Sequence, residues 1–150
     1  MPTQNHDQAT ADAAARLLAD SYVLYLKTHN FHWNVRGPMF STLHLLFETQ
    51  YTELALAVDE IAERIRALDF PAPGTYTAFQ KLAQVEETPG VPKATEMIRI
   101  LTADQHKVVE SAKALVAAAQ KAGDDASADL GVRRQQIHEK NAWMLAMHLE

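Results

Sequence analysis

The sequence predicts an all-α fold, a bundle of four long helices in which a long connection joins the second helix to the third. Helix-breaking residues occur at only a few places, and the segments between them are rich in Ala, Leu, Glu, Gln, Arg and Lys. No segment shows the alternating, β-branched pattern that is typical of a strand. The four helical segments cover residues 8–36, 39–68, 93–122 and 127–149, each bound being approximate.

The second segment gives the clearest helical signal. Its apolar residues recur at spacings of three and four, which indicates one long helix. They are Phe40, Leu43, Phe47, Tyr51, Leu54, Val58, Ile61, Ile65 and Leu68. Gly37 and Pro38 precede this core stripe and predict a sharp turn that makes the first two helices an antiparallel pair. In the same way, Gly123 predicts the end of the third long helix before a short acidic turn.

The connection between the second and third long helices, residues 67–92, holds four of the six prolines. Within it, residues 75–83 predict a short extra helix with Phe79, Leu82 and Ala83 on one face. Two short turns flanking one long crossover is the connectivity of a ferritin-like four-helix bundle, not of an up-down-up-down bundle. At 150 residues the whole chain is the size of one such domain, and we expect residues 1–8 to be a short flexible N-terminus.

Composition narrows the classes of function. The chain is 47% hydrophobic and 22% charged, which is typical of a soluble globular protein. It has no apolar run long enough to cross a membrane and no secretory signal pattern, so we expect a cytoplasmic protein. Since there is no cysteine, any metal must be held by His and carboxylate groups, which suit iron, manganese or zinc. A net charge of -5 argues against a dedicated nucleic-acid-binding protein.

Two pairs of candidate metal ligands lie on the second helix. His44 and Glu48 are four residues apart, and so are Asp59 and Glu63, so each pair shares one helix face within a turn. Most such pairs are ordinary solvated surface. However, His44, Glu48 and Asp59 each follow a residue of the core stripe by one position, so the ligand line flanks the core. The chain contains no Glu-x-x-His motif, which disfavours a metal site inside the bundle.

The two pairs are too far apart to serve one metal centre within a single molecule. His44 and Asp59 are 15 residues apart, or about 22 Å along a helix. Paired metal ions lie only about 3.5–4 Å apart. If both pairs serve one centre, two copies of the chain must meet antiparallel across a two-fold axis, with His44 and Glu48 of one copy facing Asp59 and Glu63 of the other.

Three residues before the predicted turn bear on the same centre. His32 lies near the end of the first helix, and the turn folds it back beside His44. His29 lies on the apolar stripe of that helix, so we interpret it as a core or interface histidine. Trp33 has two interpretations, packing at a helix or subunit contact and an oxidisable ring close to the metal.

The motifs HNFHWNVRGPMF, LHLLFE and DEIAERI, together with the closing HEKNAWML, resemble those of the Dps family of mini-ferritins, the DNA-protection-during-starvation proteins. The resemblance covers nearly the whole chain. It implies a hollow shell of twelve subunits with ferroxidase centres, of two iron ions each, at two-fold interfaces. By position, the metal ligands are His32, His44 and Glu48 of one subunit with Asp59 and Glu63 of its partner, and Trp33 lies alongside as a catalytic residue. The family often has Asp where Glu48 stands, so Glu48 binds directly or through water.

The resemblance also implies the reaction and its cellular role. Fe(II) is oxidised, with hydrogen peroxide as the preferred oxidant, and Fe(III) mineral is stored in the shell, which protects the cell and its DNA. Asp124, Asp125 and Asp129 resemble the lining of the family's iron-entry pores, although ordinary helix capping explains them equally well.

The alternative function is a nucleoid-structuring or DNA-binding shell protein, nucleoid-associated and with a weak or degenerate metal site. The complete ligand set favours the ferroxidase. The first fifteen residues contain neither Lys nor Arg, so we expect weak or absent DNA binding at neutral pH.

Overall fold

The computed structural model describes residues 4–150, with side chains from residue 8 onward, and in this part of the chain every regular element is helical. The long helices are α1 (Gln4–Asn34), α2 (Phe40–Ala67), α4 (Ala94–Ala122) and α5 (Asp125–Ala146), and the short α3 (Tyr76–Leu82) lies in the crossover. A 3-10 turn, Met147–Leu149, follows α5. The predicted all-α, ferritin-like bundle with an extra crossover helix is therefore confirmed.

The predicted helix bounds agree with the observed ones to within a few residues. The largest shift at a helix start is in α1, which begins at Gln4 instead of about residue 8. The predicted flexible segment 1–8 extends outside the described residues and stays a prediction. Gly37 (φ +106°) and Gly123 (φ +71°) occupy the two tight turns in conformations that other residues adopt rarely, as their predicted roles require. None of the helices in residues 4–150 is long and apolar enough to cross a membrane.

The core stripe of α2 is buried in its centre and exposed at its first residue. Leu43, Phe47, Leu54 and Ile61 are fully buried, together with Ile65 at 1% exposure. Phe40 was predicted to belong to this stripe, but it is 42% exposed. Its ring instead stacks against that of His44, at a centroid distance of 5.0 Å. One edge of the stripe thus borders the candidate site.

Two buried charged residues of α1 fasten the crossover to the bundle. The Asp20 carboxylate accepts hydrogen bonds from the backbone amides of residues 84 and 85, at 2.6 and 3.0 Å. Two turns later, the Lys27 ammonium donates to the carbonyl of Glu86 at 2.7 Å and forms an ion pair with Asp104 of α4, also at 2.7 Å. These contacts hold the crossover, and with it α3, against α1.

A second buried polar cluster, here the His138 cluster, joins α2, α4 and α5. Arg134 binds both carboxylate oxygens of Glu53 and donates a third hydrogen bond to His138 Nε2 at 2.9 Å. His138 Nδ1 in turn donates to Gln105 Oε1 at 2.6 Å. Burial and the charge of Arg134 hold the pKa of His138 well below its usual value. The imidazole is therefore neutral, and both of its nitrogens are hydrogen-bonded within the bundle.

Candidate metal centre

His32 and His44 form a reciprocal pair where α1 turns into α2. Their imidazole rings stack at a centroid distance of 3.8 Å with an angle of 15° between planes. His32 Nδ1 lies 2.7 Å from the backbone oxygen of His44, and His44 Nδ1 lies 2.7 Å from the backbone oxygen of His32. A carbonyl oxygen can only accept a hydrogen bond, so both Nδ1 atoms carry the proton and donate it.

The consequence of this pairing is that, in the neutral form of each ring, the lone pair lies on Nε2. Histidines that bind a metal through one nitrogen usually donate the other N–H to a carbonyl or carboxylate, which fixes the tautomer and the ring orientation. The reciprocal bonds meet this requirement for both rings. Because His32 is buried, at 7% exposure, and His44 is half-buried, the pair has a fixed position at the edge of the bundle.

The three carboxylates that were predicted to bind metal lie on α2. Glu48 is exposed and stands one turn after His44, on the same side of α2. Asp59 and Glu63 are exposed as well. A hydrogen bond to Asp59 and the negative charge of Asp59 raise the pKa of Glu63. These two carboxyl groups are thus neighbours on the exposed side of α2, and a cation bound between them would relieve the repulsion of their charges. Imidazole nitrogen and carboxylate oxygen together are donors that suit iron.

The structure leaves these ligands as separate half-sites. α2 is one continuous helix, so His44 and Asp59 stand about 22 Å apart along it. Within the described part of the chain, no three His, Asp or Glu side chains come together closely enough to hold a metal ion. One subunit therefore presents a histidine pair with Glu48 nearby at one end of α2, and a carboxylate pair toward the other.

An aromatic group, here the ring stack, lies beside the histidine pair and consists of Trp33, His29 and Tyr51. The Trp33 and His29 rings are 3.9 Å apart, and His29 and Tyr51 stack at 4.2 Å. Tyr51 meets His32 edge to face at 5.1 Å. Trp33 is 59% exposed, whereas His29 is half-buried within the ring stack. Burial, and then the charge of Glu48, raise the pKa of Tyr51, so its phenol is protonated at neutral pH.

Tyr51 was predicted to belong to the core stripe of α2, and the spacing of that stripe does not predict its contact with His32. Tyr51 is only half-buried, and its ring faces the candidate site. The sequence does contain a feature that predicts this position. Tyr51 follows His44 by seven residues, so the two side chains lie on nearly the same side of the helix.

The acidic turn between α4 and α5 divides into residues with different partners. Asp124 caps α5 by accepting hydrogen bonds from the Ser127 amide, at 3.0 Å, and from its hydroxyl, and it pairs with Arg64 of α2 at 3.1 Å. Burial pushes the pKa of Asp124 upward, but the Ser127 hydrogen bonds and the Arg64 charge outweigh it and hold the pKa below its usual value. The capping interpretation thus describes Asp124. Asp125 is exposed, and Asp129 pairs with Arg133 at 3.0 Å, so pore lining stays a prediction.

Comparison with known proteins links this geometry to one group. A family model described as a ferritin-like domain matches residues 11–150. A DNA protection during starvation protein of Brevibacillus brevis is 38% identical, over 95% of this chain and 96% of that protein. The crystal structure of a Dps protein from Bacillus brevis superposes with a TM-score of 0.94 at 37% identity, covering 98% of this chain and 99% of that one. The Vibrio cholerae O1 Dps structure, described as a ferritin-like diiron-carboxylate protein, gives 0.93 at 30% identity, with 97% and 92% covered.

Proposed function

The chain belongs to the ferritin-like family, in its Dps branch, and from this premise we propose that it is a ferroxidase and iron-storage protein. It oxidises Fe(II) with hydrogen peroxide and keeps the Fe(III) mineral inside a shell of subunits, which removes both reagents of oxidative damage. The observation that carries the proposal is the reciprocal His32–His44 pair, since it presents two Nε2 lone pairs side by side.

The proposed centre is shared between two subunits. The point of α2 between Glu53 and Leu54 lies halfway along the sequence between His44 and Glu63. It also lies halfway between Glu48 and Asp59. A two-fold axis at this level, between antiparallel copies of α2, therefore brings the histidine pair of one subunit to the carboxylate pair of the other. Two identical sites per dimer result, and each binds two Fe(II) ions as substrate. The dodecameric shell of such dimers belongs to the same proposal.

The ligand set accounts for the direction of the reaction. Carboxylates are hard anionic donors and bind Fe(III) more strongly than Fe(II), so the mixed His and carboxylate set stabilises the product of oxidation. One peroxide takes one electron from each of two Fe(II) ions, consumes two protons and leaves as two waters, so that no hydroxyl radical is released. Asp125 and Asp129 are exposed carboxylates at the start of α5 that would attract Fe(II) toward a pore.

Subunit mixing tests the shared centre directly. His32→Ala/His44→Ala subunits lack one half-site and Asp59→Ala/Glu63→Ala subunits lack the other, so each variant alone should give no Fe(III) absorbance with Fe(II) and peroxide. After the two are unfolded and refolded together, each mixed dimer regains one intact site, and about a quarter of wild-type activity should return with random pairing. Activity in either variant alone, or none in the mixture, would contradict the assignment.

Protection without tight DNA binding is the second part of the proposal. The chain carries 19 acidic against 14 basic side chains, and this negative charge repels phosphate. We expect no plasmid retardation at neutral pH, although iron removal still protects DNA from cleavage by Fe(II) and peroxide. The competing function, a DNA-binding shell with a degenerate metal site, predicts salt-sensitive retardation and equal mineralisation by wild type and the Asp59→Ala/Glu63→Ala variant.

A further inference from the structure

A layer of buried polar side chains, here the polar layer, crosses the interior of the bundle. Each long helix contributes one member, and none of the four is more than 2% exposed. The members are Thr28 of α1, Gln50 of α2, Gln105 of α4 and His138 of α5. On α1 and α2, fully buried apolar residues stand one turn before and one turn after the polar layer, namely Leu24, Phe31, Phe47 and Leu54. Polar groups in such surroundings oppose folding unless they are hydrogen-bonded.

Contacts between adjacent residues place these members at one level of the bundle. The residues that follow Thr28 and Gln50 are His29 and Tyr51, and their rings stack at 4.2 Å. The lysine immediately before Thr28 forms an ion pair with the aspartate immediately before Gln105, at 2.7 Å. The helices α1, α2 and α4 are therefore in contact where Thr28, Gln50 and Gln105 point inward.

His138 determines which end of the Gln105 amide is free. Its Nε2 accepts a hydrogen bond from Arg134, so its Nδ1 carries the proton and donates to Gln105 Oε1 at 2.6 Å. Gln105 Nε2, by contrast, has no hydrogen-bond partner among the described residues. The same holds for Thr28 Oγ1 and for both Nε2 and Oε1 of Gln50. The polar layer thus contains unused donors and unused acceptors that do not reach one another.

We propose that the polar layer is a buried water site, in which at least one water molecule bridges Gln50, Gln105 and Thr28. The water accepts hydrogen bonds from the two amide nitrogens and donates one to the hydroxyl oxygen of Thr28. Three hydrogen bonds are the usual number for a water inside a protein. Polar side chains of one layer that are too far apart to bond directly are joined in this way. The bound water then stabilises the fold, because it pairs groups that would otherwise be buried without partners.

The chemistry of the polar layer favours a neutral ligand over a metal ion. Four-helix bundles that hold metal between their helices do so with glutamate and histidine side chains. Here the free groups are uncharged amides and a hydroxyl, and both nitrogens of His138 are already hydrogen-bonded. The buried guanidinium of Arg134 lies 2.9 Å from His138 and repels a cation.

High-resolution crystallography of the full-length protein tests the site directly. We expect electron density for water at about 2.7–3.2 Å from the side-chain amides of Gln50 and Gln105. After a zinc soak, the same density should remain and give no anomalous zinc signal. Direct hydrogen bonds between the members, with no water between them, would overturn the proposal, and so would a zinc ion in the polar layer.

Urea denaturation tests the same site through the sign of a stability change. Gln50→Met and Thr28→Val each remove one partner of the water and keep the size of the side chain, so each should lower the midpoint of denaturation. In a dry layer both signs would reverse, because each substitution would remove an unpaired buried polar group. A higher midpoint in Gln50→Met would therefore overturn the proposal.

The double variant tests whether the two side chains share the water. Gln50→Met/Thr28→Val should lower the midpoint by less than the sum of the single effects, because the first substitution already releases the water. Strictly additive effects would show that no water connects the two residues. Gln136→Met, at an exposed position of α5, is the matched control and should leave the midpoint unchanged.

Discussion

The His138 cluster and the His32–His44 pair use the same side chain in opposite ways. In the cluster, Nδ1 of His138 donates a hydrogen bond to Gln105, and Nε2 accepts one from Arg134. Neither nitrogen is therefore left to bind a metal. In the pair, each Nδ1 donates a hydrogen bond to a backbone carbonyl, and these bonds do not involve Nε2. What distinguishes a structural histidine from a candidate metal ligand here is therefore the number of nitrogens that the fold leaves without a partner, since both kinds of site are mostly removed from solvent.

The carboxylates divide in the same way. Asp104, which is buried, and Glu53, which is half-buried, each face a buried cationic side chain, Lys27 and Arg134 respectively, so the bundle supplies its own countercharge. On the outer face of α2, Glu63 has Asp59 as its neighbour, and a hydrogen bond to Asp59 and its negative charge raise the pKa of Glu63. The interior is thus closed to metal ions, while the outer face has a charge that an incoming cation neutralises.

The largest effect on stability should come from removing one partner of the buried ion pair between Lys27 and Asp104. Lys27→Met leaves Asp104 buried without a countercharge, and we expect the free energy of unfolding to fall by about 3–5 kcal/mol in urea denaturation. Lys113→Met, which removes an exposed ion pair with Glu110, should change it by about 0–1 kcal/mol. The double variant Lys27→Met/Asp104→Leu should recover most of the loss. If the two single variants are equally stable, the interior pair is not a structural one.

Acid should destabilise the His138 cluster next. Because the folded-state pKa of His138 is depressed, the unfolded chain binds the proton more readily as the pH falls below 6.5. Stability is complete above that pH, and each unit below it should remove up to about 1.4 kcal/mol until the folded-state pKa is reached. His138→Gln should flatten this slope in denaturation curves at several pH values, whereas His106→Gln, on the exposed side of α4, should not.

A smaller effect should separate capping from pore lining in the acidic turn. Asp124→Ala removes the cap of α5 and the partner of Arg64, and a loss of about 1–2 kcal/mol in the free energy of unfolding is expected. Asp125→Ala, at an exposed neighbour, should leave stability unchanged while slowing iron uptake if it lines a pore. Unchanged stability in Asp124→Ala would show that the cap contributes little.

The smallest effect, and one of opposite sign, should come from the outer face. The folded-state pKa of Glu63 is raised, so its favourable contribution exists below its ordinary pKa of 4.5 and is lost as the pH rises through the folded-state value. Glu63→Gln should therefore be slightly more stable than wild type at neutral pH and no different in acid, while iron oxidation is lost. Glu87→Gln, at an exposed position of the crossover, provides the control in the same thermal melts.

The sequence was sufficient for the bundle and for the separation of the half-sites, because both depend on periodicity along a helix. Leu43 to Ile65 recur with the helical period, and the 15-residue interval from His44 to Asp59 sets a distance regardless of packing. The polar interior was missed because it depends on contacts between distant segments. Asp20 and Lys27 lie on the buried side of α1, yet their partners come from the crossover and from α4. The tautomers of His32 and His44 likewise depend on a turn geometry that spacing alone does not define.

Because the proposed centre is divided between the two ends of α2, folding of a subunit should precede its activity. A chain emerging from the ribosome folds with only half-sites exposed, so it has no complete centre at which iron chemistry can begin before two subunits meet. During refolding, the onset of iron oxidation should then follow second-order kinetics in subunit concentration, later than the first-order gain of helix. If the centre is shared as proposed, newly made subunits stay inactive until they are next to the partner with which they would enclose the product.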